Sequence, residues 1–209
     1  ITTIVATGEM VKMQGECIRS WESEMDSINS ILLGIIQGIT EFLPISSSGH
    51  LVLGQYFLGI ENSGIVLEVV LHLGTLLSIL LYYRHDISDL FLGIYKRDSE
   101  SLHYMFMLTM ATIPAVAVGL LFNSQLESLF LPKFVPYMLL ISGGVLFTTK
   151  YASETQQPIT LKIAILVGCA QVFAMLPGIS RSGMTISLAL FFGINRGAAA
   201  KFGFFMAIP

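Results

Sequence analysis

Long apolar runs dominate the chain, and a few polar groups interrupt them at places where hydrocarbon would not tolerate them without a purpose. Residues 28–40 and 51–60 are uncharged, yet each falls short of the roughly 20 apolar residues that a spanning helix needs. Between them lie Glu41, Pro44, Ser46, Ser47, Ser48, Gly49 and His50. Pro44 and the serine–glycine run break a helix, and broken backbone at membrane depth is tolerated only where it is buried in protein or lines a polar cavity. The pattern predicts a re-entrant helix–loop–helix.

Residues 65–83 are long enough to span, with Glu68 and His72 four apart on one helix face. Residues 104–122 form an uncharged span that carries Pro114, and 134–149 form a shorter third span. The loops at 84–101 and 150–162 carry more Lys and Arg than the loop at 123–133. The positive-inside rule places the first two in the cytoplasm and the third outside. Two further apolar pieces, 163–180 and 182–195, are separated by Arg181, and another starts at Ala198.

Composition sharpens this picture. The 209 residues are 54% hydrophobic and 12% charged, about half the charge of a soluble domain. Mean hydropathy is +0.75. The expected fold class is all-α, a polytopic integral membrane protein of the cell membrane in contact with its lipids. The net charge of −3 gives no reason to expect nucleic acid. Cys17 and Cys169 lie in unlike contexts, so neither a disulfide nor a cysteine metal site is expected. Residues 1–24 mix charges with short apolar runs and read as an N-terminal extension outside a single membrane domain at 25–209.

The chain repeats itself. Gly34 falls on Gly168, Gln37 on Gln171, Ser46 on Ser180, Ser48 on Ser182 and Gly49 on Gly183, at one offset of 134 residues (34 to 168, 49 to 183). Leu43-Pro44 and Leu176-Pro177 accompany the two copies, shifted by one residue from that offset. Three spans between the copies predict that the second enters the membrane from the opposite side, an inverted-topology repeat with two re-entrant segments. Repeat one then covers about 28–150 and a partial repeat two about 162–209, which leads to the expectation of a C-terminal truncation of roughly 70 residues.

The two loops carry the parts of a phosphoryl-transfer site. Gln37 and Glu41 share a helix face, and could hold a divalent cation, Glu41 through its carboxylate and Gln37 through a neutral oxygen. Glu41 could equally act as a base. Ser46, Ser47, Ser48 and Gly49 precede a helix N-terminus, whose N–H groups favour phosphate oxygens. Ser47 and His50 are close enough for a serine–imidazole pair if the turn is helical. In the second loop Arg181 offers a planar fork to phosphate, flanked by Ser180, Ser182 and Thr185. Each hydroxyl alone also suits helix packing.

QGITEFLPISSSGH (37–50) and LPGISRSGMT (176–185) closely resemble the two signature motifs of the undecaprenyl-diphosphatase family of the bacitracin-resistance type, and 66–78 is similar to its third recognisable stretch. The resemblance implies a membrane phosphatase that converts an isoprenyl diphosphate to the monophosphate and inorganic phosphate. That reaction recycles the lipid carrier of cell-wall glycans and confers bacitracin tolerance. It also implies Glu41 as the functional carboxylate paired with Gln37, Ser47 as nucleophile, His50 and Arg181 as further site residues, and dependence on Mg²⁺ or Ca²⁺. Nucleophilic attack by Ser47, His50 or water all remain open, as does a homodimer. Two rival readings are a lipid-phosphate transporter on the same inverted repeat and a type-2 phosphatidic-acid phosphatase. The latter needs a histidine where Ser187 stands.

Overall fold

The computed structural model describes residues 27–60, 64–121, 132–153 and 155–208. Among these the protein is all-α, with no strand. The helices are α1 (Ser27–Phe42), α2 (Ser47–Phe57), α3 (Gly64–Tyr82), α4 (Arg84–Tyr95), α5 (Ser99–Leu121), α6 (Val135–Thr148), α7 (Leu161–Phe173), α8 (Arg181–Phe191) and α9 (Arg196–Phe205). The expected extension at 1–24 lies outside the described residues, as does most of the expected loop at 123–133.

Among the described residues α5 is the one helix long and apolar enough by itself to cross a membrane. The stretch expected as a polar loop at 84–101 is instead mostly helical. It forms α4, bent by 70° from the end of α3. Asp86 sits in the first turn of α4, where the helix dipole favours a carboxylate. Ile87 and Leu90, three apart on one face, pack against the core. Lys201 of α9 pairs with Asp86 and ties the two helices together. The third expected span is a shorter helix, α6, with 3-10 turns at Pro132–Phe134 and Thr149–Tyr151 on either side.

Two cores hold these helices. The larger joins Met107, Leu108 and Ala111 of α5 to Ala164 and Val167 of α7 and to Phe202 and Phe205 of α9. Gly168 makes the α5–α7 approach possible, because a Cβ there would lie 2.2 Å from the Ala111 carbonyl oxygen. Backbone contact through small residues is the usual way apolar helices pack without a hydrophobic driving force between them. The smaller core brings together Leu33, Leu51 and Leu67 of α1, α2 and α3. It folds α2 back on α1 and holds α3 beside them, and this sets the site described next.

Candidate active site between the two serine turns

Both turns are built alike. After Pro44 the chain turns at Ser46, whose side chain caps α2 by accepting from the Gly49 N–H at 3.4 Å. After Pro177 it turns at Ser180, whose side chain caps α8 by accepting from the Gly183 N–H at 2.9 Å. A serine two residues on lies beside each cap, Ser48 at 3.4 Å and Ser182 at 3.3 Å. Serine at this position satisfies one of the N–H groups a helix start leaves orphaned. Ser46 has φ 73°, a left-handed backbone that residues other than glycine rarely adopt.

Glycines let the two turns touch. A Cβ on Gly49 would fall 2.9 Å from the Gly178 Cα, and a Cβ on Gly183 would fall 2.8 Å from the Pro44 carbonyl oxygen. Gly178, at φ +95°, also packs against α6, where a Cβ would lie 2.8 Å from the Val135 carbonyl oxygen. Ser142 of α6 accepts the Ser180 N–H at 3.1 Å and fixes the second turn from below.

The charged and polar groups converge on one oxygen, Oε2 of Glu41. The Ser47 hydroxyl donates to it at 2.5 Å, and the Gln37 amide nitrogen donates at 2.9 Å. His72 on α3 holds its Nε2 at 4.0 Å from the same oxygen. Gln37 is 1% exposed, and its nitrogen also reaches Thr75 Oγ1 at 3.5 Å. A polar cavity of about 270 Å³ opens beside this group, lined by Glu41, Ser46, Ser47, Ser48, Ser180, Arg181 and Ser182, with Glu68 and His72 contributed by α3. Among the described residues the Arg181 guanidinium has no hydrogen-bond or ion-pair partner, so its fork is open to an anion in the cavity.

The structure therefore brings seven of the candidate residues to one cavity and turns others away. The His50 ring donates from Nδ1 to the Ser46 carbonyl at 2.7 Å, one helical turn back, and forms no bond with Ser47. Thr185 is 1% exposed and donates to the Arg181 carbonyl at 2.9 Å, again one turn back. Gly49 is buried and serves the contact between turns. Gln37 turns its nitrogen toward Glu41, and its buried Oε1 has no partner.

Glu68 and His72 reach the site from α3. Their four-residue spacing was the available signal, and it does place both on the cavity side of α3. His72 donates from Nδ1 to the Glu68 carbonyl at 2.7 Å, which leaves Nε2 to face Glu41. A carboxylate with a hydroxyl bonded to it, an open guanidinium and a ring of hydroxyls near a helix start can bind a phosphate group and move a proton beside it. Among the described residues no group of three or more His, Cys, Asp or Glu side chains gathers as a metal centre. The donors that open on the cavity are the Glu41 and Glu68 carboxylates and His72 Nε2, groups of the kind divalent cations take, but the three do not converge as a ligand cage.

Residues 30–209 match the family described as Bacitracin resistance protein BacA. A protein named undecaprenyl-diphosphatase from Christiangramia forsetii is 44% identical over 191 residues, covering 88% of this chain and 72% of the relative. Proteins of the same name from Idiomarina loihiensis and Elusimicrobium minutum are 42% and 40% identical, each covering 88% of this chain and 73% of the relative.

Proposed function

The chain belongs to the Bacitracin resistance protein BacA family, and from that premise we propose that the cavity between the two serine turns is where undecaprenyl diphosphate loses its terminal phosphate. The activity is that of an undecaprenyl-diphosphatase, a hydrolase that returns the lipid carrier of cell-wall synthesis to its monophosphate and counters bacitracin. One observation carries the residue assignment. The Ser47 hydroxyl is bonded to the Glu41 carboxylate on the same cavity that Arg181 lines.

In this reading Arg181 and the N–H groups at the start of α2 and α8 bind the diphosphate oxygens. Glu41 takes the Ser47 proton as Oγ attacks the terminal phosphorus. The bond from phosphorus to the bridging oxygen breaks, and isoprenyl monophosphate leaves with that oxygen. Water then attacks the phosphoserine, inorganic phosphate departs, and Ser47 recovers its proton. Gln37 holds Glu41 in place, and His50 stiffens the turn that presents Ser47. A divalent cation, Mg²⁺ or Ca²⁺, would be held by Glu41 and Glu68, with His72 beside them. It would supply neutralisation of phosphate charge.

The same reading makes this a multi-pass protein of the cell membrane. Outward apolar side chains support it, with Leu120 80% exposed and Leu140 74% exposed. An inverted repeat is supported by the contact between the turns. By the offset that pairs Gly49 with Gly183, Pro44 pairs with Gly178, so Gly49 against Gly178 and Gly183 against Pro44 are one contact made twice. Reciprocity of this kind is what a two-fold relation between two halves produces.

The test is phosphate release from undecaprenyl diphosphate by purified protein, with and without EDTA, beside Glu41→Ala and Arg181→Ala. Release that depends on both side chains is expected. Full release by a folded Glu41→Ala protein would overturn the assignment of the base.

A further inference from the structure

A second cavity, of about 350 Å³, adjoins the polar one and shares Glu41, Glu68, His72 and Arg181 with it. Apart from Thr75, its remaining wall is apolar. Val69, Leu73, Leu76 and Ile79 line it from α3, and Ala207 closes it just beyond α9. Spacings of three and four residues put these α3 side chains in one stripe that runs about 15 Å along the helix from Val69, past His72, to Ile79. The stripe is open on its outer side at Val69 and Leu73, 48% and 56% exposed, and closed at its Ile79 end, which is buried.

We propose that this groove is the exit path of the substrate's isoprenoid chain, with the first isoprene units lying on the α3 stripe between His72 and Ile79. The inference rests on the diphosphatase reading above and adds where the lipid part of that substrate binds. A diphosphate held by Arg181 needs a neighbouring surface for the apolar chain attached to it. Of the two joined cavities, one carries the serines of both turns and the other, beyond the shared charged groups, carries aliphatic side chains of α3. Because the groove is open at its outer wall, a chain much longer than the groove can continue into the bilayer.

The experiment uses full-length protein in lipid nanodiscs and a farnesyl diphosphate that carries a diazirine on its first isoprene unit. After irradiation, labelled peptides are mapped by mass spectrometry. Label is expected within 69–79 and should disappear with excess undecaprenyl diphosphate. Leu76→Trp should lower it by about tenfold, whereas Leu140→Trp, on the outward face of α6, should leave it unchanged. Label absent from α3, or on α3 but not displaced by the competitor as for a bilayer acyl chain, overturns the groove. Phosphate release is read from the same preparation. No release from wild type would count against the diphosphatase reading while the labelling still judges the groove. Release with label elsewhere would sink the groove alone.

Discussion

Ser47 Oγ lies 2.5 Å from Glu41 Oε2, across the break between α1 and α2, while the histidine three residues further on bonds to the backbone instead. This makes the carboxylate the partner of the hydroxyl.

Removing the base without removing the shape tests this directly. Glu41→Gln keeps an acceptor for Ser47 but cannot take its proton. Turnover should fall by about 10²- to 10⁴-fold, with little change in the thermal midpoint. Stopped-time assays with undecaprenyl diphosphate report the first quantity and unfolding in detergent the second.

His50 separates positioning from chemistry. Asparagine presents an amide nitrogen close to where Nδ1 now sits and can still donate to the Ser46 carbonyl. His50→Asn should therefore keep a much larger share of wild-type kcat than His50→Ala. Equal loss in the two variants would mean that the imidazole itself reacts.

Arg181→Lys retains the charge but loses the fork. A single ammonium cannot reproduce two parallel bonds to a phosphate. A drop in kcat/KM on the order of 10²-fold is expected, and it can be read in the same phosphate-release assay.

Gly34 and Gly168 stand 134 residues apart, at the offset the two motifs share, and should respond with opposite signs. A Cβ at Gly168 would meet the Ala111 carbonyl oxygen at 2.2 Å, whereas at Gly34 the nearest atom is Leu71 Cδ2 at 3.8 Å. Gly168→Ala should cost about 1–3 kcal/mol through overpacking. Gly34→Ala should stabilise by about 0.5–1 kcal/mol by removing helix-interior glycine. Thermal unfolding of the two single variants decides it.

Asp98 precedes α5 and accepts from both the N–H and the hydroxyl of Ser101, each at 2.9 Å. The Ser101 N–H, then its hydroxyl, hold the exposed carboxyl below its ordinary range. A depressed folded value means the cap stabilises the helix start above the ordinary aspartate range. The contribution is lost as pH falls through the lower folded value. Amide exchange at 99–102 should lose protection over that acid window in wild type. In Asp98→Ala it should be weak at every pH.

Much of the site is written in local sequence. Pro44 and Pro177 stop the preceding helices, and Ser46 and Ser180 start the next ones, because a hydroxyl three residues before a free N–H closes a cap without help from the rest of the chain. The polar residues inside apolar runs marked the same two turns, and the shared offset tied them together. The helical class follows equally from the length and spacing of the apolar runs.

Tertiary structure decided which of those residues face one another. His50 and Thr185 each stand one turn beyond a carbonyl they can reach, and that local bond wins over the cavity. Glu68 and His72 are distant in sequence from both turns, and only the Leu33–Leu51–Leu67 core swings α3 alongside so that His72 meets Glu41. Helix α4 escaped the polarity pattern because Ile87 and Leu90 acquire partners only when the larger core assembles around α5, with the Asp86–Lys201 pair tying α9 to it. Caps and breaks depend on neighbours along the chain and can be read from it. Pairings such as Ser47 with Glu41, or Gly49 with Gly178, depend on how helices pack, and packing is settled by the whole fold at once.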